Sequence, residues 1–488
     1  MTKQPTIKKL KKVVVLDTIF FYPEHRAVLE QLADEVIEYP SSLPESLERQ
    51  YVDNPELFRN VRCYTELGAN NSSLQLLMNR IDGADCVISC WTCIPDEILK
   101  LNPQLKLIVF WTHEKEHRLN LKLAEQFGIT VTNIPDYGTD AVAEVVFAGL
   151  LEVLAKNYVT HTLPQNEESL ALTVMHELLR RRRMLDRNEK YTRAGKFVHH
   201  FHKLGKITFD PGQRTLDELI PERLLARAGV ALIGQQPYAH LRTWLRAFEV
   251  VVDELPVFDA SKAEFYRTLA RNDFVVISSN ELDPKLVQKI NLLAGVKVVD
   301  LAQLKTIDWS VAGKRFGVLG LGRIGSKVAR VARDVGFEVQ FAARVPAARS
   351  DHRHVSVSEL LATSDVLSVH LPAHKADNFL SADKLALLKK GGIFINTADG
   401  NITDTAKLTE LLSANHVLAY LDVYPGLPRK DVFGLPMEDK ADWKLKAALP
   451  RHVLAYRAGW KTQESIRVKT FELLGHMVDY LTSHPHAH

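Results

Sequence analysis

Short apolar strands alternating with amphipathic helices along most of the chain predict an α/β protein of doubly wound parallel sheets. Two further observations refine this. A glycine-rich turn joins a strand to a helix near residue 320. A block at residues 205–305 repeats the strand–helix order of residues 12–110. The predicted architecture is therefore two doubly wound domains and a smaller inserted α/β domain. The first domain covers residues 1–200, with the C-terminal helix of 460–488 folded back on it. The insertion covers 205–305, and the glycine-rich domain 306–460.

"KVVVLDT" (residues 12–18) reads as the first strand, and "YPEHRAVLEQLA" as a helix opened by Pro23. "DCVIS" and "LKLIVFW" are continuous apolar runs of the kind found in strands covered on both faces. "LNLKLAEQFGI" is a helix that stops at Gly128. "TVTNIPDYGTDAVAEVVFAGLLEVLA" gives a strand, a loop and a long apolar helix entered through Asp140, and a second helix follows over 167–197. In the insertion, "NDFVVISSNELDPKLVQKINLLAGVKVV" lies over "GADCVISCWTCIPDEILKLNPQLKLIV" at matching points, as an internal duplication would.

The 488 residues carry 62 basic and 59 acidic side chains, a net charge of +3, which supplies no field for nucleic acid or a membrane surface. Arg180–Arg183 is the one sharp basic run and reads as the solvated end of a helix. The N-terminus shows no signal peptide and the chain no long apolar span, so a cytoplasmic location is expected. Four cysteines (Cys63, Cys86, Cys90, Cys93) are too few for a disulfide framework. The lone Cys90-Trp-Thr-Cys93 has no second pair or histidines at zinc spacing, and His199, His200 and His202 read as exposed, so no metal site is expected.

The strongest motif is "KRFGVLGLGRIGSKVARVARDVGFEVQFAAR". The strand Phe316–Leu319 runs into Gly320-x-Gly322-x-x-Gly325 and then a helix. The first two glycines permit a tight turn and close approach of a pyrophosphate, and the third lets helix and strand pack. The helix N-terminus then faces the phosphates. A site for NAD(H) would end the second strand with an acid to hold the ribose 2′-hydroxyl. Here Ala343 fills that place, with Arg344, Arg349 and Arg353 close by. Guanidinium groups suit a 2′-phosphate, so NADP(H) is favoured over NAD(H).

Joined to "SDVLSVHLPAH", "KKGGIFINTADGNITDTAKLTELLSANHVLAYLDVYP" and "AGWKTQES", this motif resembles the D-2-hydroxyacid dehydrogenase family over roughly residues 12–200 and 306–480. The resemblance implies two similar α/β domains with a cleft between them, and a homodimer formed through the cofactor domain. It sets Arg323 and Ile324 in the dinucleotide turn. It also sets Thr139, His370, Pro372, Thr397 and Asp422 against the cofactor.

The same resemblance makes the substrate groups unusual. Where the family carries an arginine that clamps the substrate carboxylate stands Asp399. Leu427 stands in place of the glutamate that charges the catalytic histidine, and Arg457 in place of that histidine. "FWTHEKEH" replaces the glycine loop whose amides hold the carboxylate, bringing His113, Glu114, Lys115 and His117. His113, Lys115, Asp399, Arg457 and Lys461 are thus the candidate catalytic residues, with Asp399 and Arg457 expected to pair across the cleft. A densely charged pocket fits an oxidoreductase with a non-standard small-molecule substrate. The alternative is a catalytically silent NAD(P)-binding sensor or scaffold.

Overall fold

The computed structural model describes residues 9–16, 19, 21–39, 71–90, 92–113, 115–116, 118–160, 166–183, 224–234, 238–255, 263–292, 297–344, 352–372, 376–423, 451–455, 459–460 and 462–484. Arg349, Arg457 and Lys461 lie outside these, as do Cys63, Glu114, His117, Leu427 and the histidines at 199–202.

The first sheet is built from β1 (Leu10–Val15), β2 (Ala33–Glu38), β3 (Cys86–Ser89), β4 (Leu107–Phe110) and β5 (Thr130–Asn133), in the order β2-β1-β3-β4-β5 and parallel throughout. Helices α1 (Pro23–Leu32), α2 (Asn71–Ile81), α3 (Asp96–Leu101) and α4 (Leu121–Gln126) connect these strands. Every residue of β3 and β4 is buried, which is why both read as unbroken apolar runs. The chain leaves through α5 (Thr139–Asn157), a helix apolar on nearly all sides, and α6 (Glu167–Arg182), whose cap Asn166 accepts from the Ser169 amide.

The insertion follows as β7 (Gly229–Ile233), α7 (Ala239–Ala247), β8 (Val251–Leu255), α8 (Ala263–Arg271), β9 (Phe274–Ile277), α9 (Pro284–Asn291) and β10 (Lys297–Asp300). Its strand order, β8-β7-β9-β10, is that of the first four strands of the chain, β2-β1-β3-β4. A short antiparallel pair, β6 (Val159–Thr160) with β11 (Thr306–Ile307), ties the chain on either side of the insertion.

The third sheet holds β12 (Arg315–Leu319), β13 (Glu338–Ala342), β14 (Arg353–His354), β15 (Val366–Val369), β16 (Ile393–Asn396), β17 (Leu418–Leu421) and β18 (Val453–Leu454). Its order is β14-β13-β12-β15-β16-β17-β18, again all parallel. Strand order therefore reverses between β12 and β15, the switch point where doubly wound sheets bind ligands. Helices α10 (Arg323–Asp334), α11 (Val357–Thr363), α12 (Ala382–Leu385) and α13 (Thr405–Ser413) cover it. The last helix, α14 (Gln463–Ser483), returns to the first sheet. Its Ile466, Leu473, Leu474 and Met477 join the core of Val13, Cys86, Leu107 and Val109.

One polar device recurs in all three sheets. In each unit an aspartate just before a strand that pairs with the first strand (β3, β9 and β15) bonds back to that first strand. Asp85 Oδ2 accepts from the amides of Lys11 (2.7 Å) and Lys12 (2.9 Å), Asp273 Oδ2 from Gly229 (2.9 Å), and Asp365 Oδ2 from Arg315 (2.9 Å). The amides of Asp85, Asp273 and Asp365 donate in return to the carbonyls of Lys12, Gly229 and Arg315. Each clamp satisfies backbone donors at the bottom of its sheet and fixes the register of the central strands.

The basic run departs from its sequence reading as a solvated helix end. Arg180 and Arg181 pair with Glu177, whereas Arg182 and Arg183 are 7% and 0% exposed. Arg182 lies over the Phe274 ring and within 3.4 Å of Asp273, and Arg183 donates to the Gly459 carbonyl at 2.9 Å. The end of α6 is wedged between the insertion and the segment entering α14, so charge there is covered.

Asp85→Ala is expected to leave two backbone amides of β1 without their acceptor and to lower stability by roughly 1–3 kcal/mol in urea unfolding. An unchanged midpoint would show that solvent replaces the clamp.

Candidate functional site

The glycines of the turn after β12 have three separate reasons to be there. Gly320 has φ +96°, and a Cβ on it would sit 2.6 Å from the His370 carbonyl oxygen, so the ends of β12 and β15 approach too closely for any side chain. A Cβ on Gly325 would sit 2.0 Å from the Gly320 carbonyl oxygen, which is the contact of α10 with the turn. A Cβ on Gly322 would meet no protein atom within 4 Å. Gly322 caps α10 from extended backbone, so the first amides of that helix open onto this free space. The geometry fits a dinucleotide pyrophosphate.

The rest of the crevice carries groups suited to the same ligand. At the end of β13, Ala343 is half-buried and Arg344 exposed. Among the described residues the Arg344 guanidinium has no carboxylate partner. Arg353 is engaged instead with Glu359 at 2.6 Å. Beyond β15, the His370 ring lies 2.8 Å from Ser368 Oγ, and desolvation pushes its pKa down to about 3, so the imidazole is neutral at physiological pH. Pro372 is exposed beside it. Beyond β16, Thr397 Oγ1 is buried with no hydrogen-bond partner. An orphaned buried hydroxyl is costly, roughly 1–3 kcal/mol, unless something else completes it. It is the kind of group a bound ligand would satisfy.

Two contacts join this crevice to the first sheet. Arg323, in the first turn of α10, donates to the Pro135 carbonyl at 2.6 Å. Asp422, at the end of β17 and 3% exposed, accepts from the Gly459 amide at 3.1 Å and faces the Tyr420 hydroxyl at 3.5 Å. Ile324 packs against the central core. Thr139, at the start of α5, donates from its hydroxyl to the Asp136 carboxylate.

The candidate catalytic residues that can be placed have local duties. Asp399 caps the turn Gly400–Ile402, accepting from the Asn401 amide at 2.9 Å, and Asn396 Nδ2 reaches the Asp399 carbonyl at 3.3 Å. His113 is exposed, and its carbonyl accepts from Asn133 at 2.9 Å. Lys115 is half-buried and donates to the Val131 carbonyl at 2.7 Å. The expected Asp399–Arg457 pair and Lys461 fall outside the described residues. Among the described residues no group of His, Cys, Asp and Glu is arranged to hold a metal, and no helix is long and apolar enough to cross a membrane.

A group that sequence reading passed over lies in the same wall. Lys469 of α14 is 2% exposed, with its ammonium 3.6 Å from the ring centroid of Trp111, 4.0 Å from that of Tyr137 and 5.0 Å from that of Trp460. Each ring offers a desolvated cation about 2 kcal/mol, set against the several kcal/mol it costs to take an ammonium out of water. Desolvation by burial pushes the Lys469 pKa down to about 7. The available signal was its place on the apolar stripe of α14, between Ile466 and Leu473.

Residues 295–439 match the family model described as D-isomer specific 2-hydroxyacid dehydrogenase, NAD binding domain. This region of the chain is therefore similar to the NAD binding domain of the D-2-hydroxyacid dehydrogenases. D-3-phosphoglycerate dehydrogenase 1 of Saccharomyces cerevisiae is 34% identical over 162 residues, 32% of this chain and 34% of that protein. D-lactate dehydrogenase of Treponema pallidum is 34% identical over 179 residues, 35% of this chain and 54% of that protein. The match thus spans about a third to a half of these relatives' length. Two solved structures share the fold. One is D-2-hydroxyisocaproate dehydrogenase (TM-score 0.51, 15% identity, 97% of each chain). The other is an acyclic imino acid reductase in complex with NADPH and D-Arg (TM-score 0.50, 17% identity, 97% of each chain). The glycine turn of this matched region lies at the switch point of its sheet.

Thr397→Val is expected to leave thermal stability equal or higher, because the orphaned hydroxyl is gone. It should weaken nicotinamide nucleotide binding roughly 2- to 10-fold in calorimetry. Unchanged affinity would place the ligand away from Thr397.

Proposed function

We propose that the chain is an NADP(H)-dependent oxidoreductase acting on a small anionic carbonyl or imine compound. The observation that carries this reading is the turn Gly320–Gly325, where two glycines are required by the protein and the third, Gly322, faces open space at a helix N-terminus. In this reading residues 306–460 form the cofactor domain, residues 1–200 with 460–488 the substrate domain, and 205–305 an insertion.

The cofactor supplies the hydride when bound. The chain's own residues do the rest. The amides opening α10 hold the pyrophosphate. Arg344 holds the ribose 2′-phosphate as a charge-assisted partner, with no acid nearby on the strand end to repel it. The Thr397 hydroxyl, buried without a partner, would donate to the bound cofactor, and neutral His370 would line the crevice without adding charge. Asp422 keeps Gly459, and so the entry to α14, against the cofactor sheet. Arg323 keeps the Pro135 loop on the opposite side. Together these contacts bring the substrate wall to the crevice, where orientation of a carbon against the nicotinamide is the protein's main contribution.

A non-standard substrate is favoured by the residues of the substrate wall, which carries His113, Lys115 and Lys469 rather than a glycine loop. Support for the silent-sensor reading comes from the local duties of Asp399 and Lys115, each already engaged with backbone. Loss of reduced-cofactor absorbance with 2-keto or 2-imino acids distinguishes the two readings, because a sensor would bind NADPH without consuming it.

Replacing Arg344 with Asp should weaken NADPH binding about 10- to 100-fold while leaving NADH within a few-fold, as loss of a charged hydrogen bond and gain of repulsion require. Calorimetry in which the unaltered protein binds NADH more tightly than NADPH would contradict the assignment.

A further inference from the structure

Along α14, a row of polar side chains follows the segment that leads from β5 into α5. His476 Nε2 lies 3.1 Å from the Asn133 carbonyl. Glu472, its carboxyl raised by burial, feels His476, Asp136 and Arg323. One turn further on, Lys469 lies beneath Tyr137. The row ends at Trp460, whose Cβ is 3.3 Å from the position a Cβ on Gly138 would take. Trp460 adjoins Gly459, the residue bonded to Asp422. Lys469 therefore lies between the two points, Arg323 and Asp422, at which the cofactor sheet reaches the substrate wall.

Its surroundings are unusual for a cation. Three aromatic rings face the ammonium, and among the described residues no oxygen accepts a hydrogen bond from it. Among the described residues, the other ionisable groups facing it are the Cys90 thiol, which donates to the Trp111 carbonyl at 3.3 Å, the Arg118 guanidinium and the Tyr137 phenol, none of them a carboxylate. Aromatic faces stabilise the charge electrostatically but offer its N–H groups no acceptor. A carboxylate would supply both the counter-charge and the missing acceptors, and the rings would keep water from competing.

We propose that Lys469 is the anion-capture site of the substrate cleft, taking the carboxylate of a small organic acid among Trp111, Tyr137 and Trp460 and binding a proton as the anion enters. The proposal deepens the oxidoreductase reading and rests on it for the identity of the cleft, but its test needs no turnover. The balance is simple: neutral amine, one proton from solvent and one carboxylate become an ammonium–carboxylate pair. Burial lowers the free amine's pKa to about 7, and the anion raises it again. Anion affinity is then full below that value and falls as pH rises through it, until the raised pKa of the complex is reached.

The test is calorimetric titration of oxalate into the full chain, in two buffers of different ionisation enthalpy. At about pH 8, proton uptake should approach about one per oxalate bound, and at about pH 6 it should fall close to zero. Lys469→Arg, permanently charged, should bind oxalate without proton uptake at either pH. Lys469→Met should lose most of the binding. No oxalate binding by the unaltered protein, binding without proton exchange at the higher pH, or undiminished binding by a folded Lys469→Met protein would each overturn the proposal. NADPH titrated into the same samples separates the two readings. Oxalate-linked proton uptake without NADPH binding would remove the oxidoreductase and keep the anion site, and the reverse result would do the opposite.

Discussion

The close approach of β12 and β15 is the constraint on which the rest depends. Gly320 must take a positive φ and lie against the His370 carbonyl, because the His370 amide itself bonds to the Leu319 carbonyl at 2.8 Å. That bond continues the β12–β15 pairing to the last residue before the chain turns away on either side. The turn then has one course open to it, over the strand ends and into α10, held by the contact of Gly325 with the Gly320 carbonyl. The crevice and the helix N-terminus that opens onto it follow from this one contact.

The other units are fastened to the same helix. Lys327, on α10, pairs with Asp140 at 3.0 Å and with Glu249 at 2.8 Å, joining the cofactor sheet to the start of α5 and to the α7–β8 turn of the insertion. These pairs are partly exposed and individually weak, but they share one lysine, so each holds the side chain for the other. A drier latch lies behind them. Glu144 of α5, 4% exposed, accepts from the amides of Leu225 and Ala226 at 2.9 Å. Glu464, in the first turn of α14, accepts from Leu224 at 3.0 Å. The chain entering the insertion is thus bonded both to the helix that crosses between the sheets and to the one that carries Lys469. The insertion copies the strand order of the first sheet and its aspartate clamp, yet its contribution here is made through these edges.

Much of the fold was legible because apolar runs and glycine spacing report directly on backbone geometry. β3, β4 and β9 were continuous runs and became fully buried strands. The glycine turn was readable because each glycine answers a local steric demand. What stayed hidden depends on contacts between distant segments. Arg182 and Arg183 look like a solvated helix end until Asp273, Phe274 and Gly459 are brought against them. Lys469 is an ordinary lysine in "IRVKTFELL" until Trp111, Tyr137 and Trp460 close around it. Lys115 reads in the sequence as a charge in a replaced loop, but its ammonium is committed to the Val131 carbonyl. Local pattern reports the glycine turn, and long-range packing decides which charges are covered.

The central claim is that this nucleotide crevice delivers a hydride to an anionic acceptor across a wall built on α14. The most direct measurement is mass spectrometry of products after incubating the protein with NADPH deuterated at nicotinamide C4 and a set of 2-keto and 2-imino acids. The account predicts one deuterium at the former carbonyl or imine carbon of at least one acid. Bound NADPH with no deuterium in any acceptor would contradict it and leave a nucleotide-binding protein without transfer chemistry.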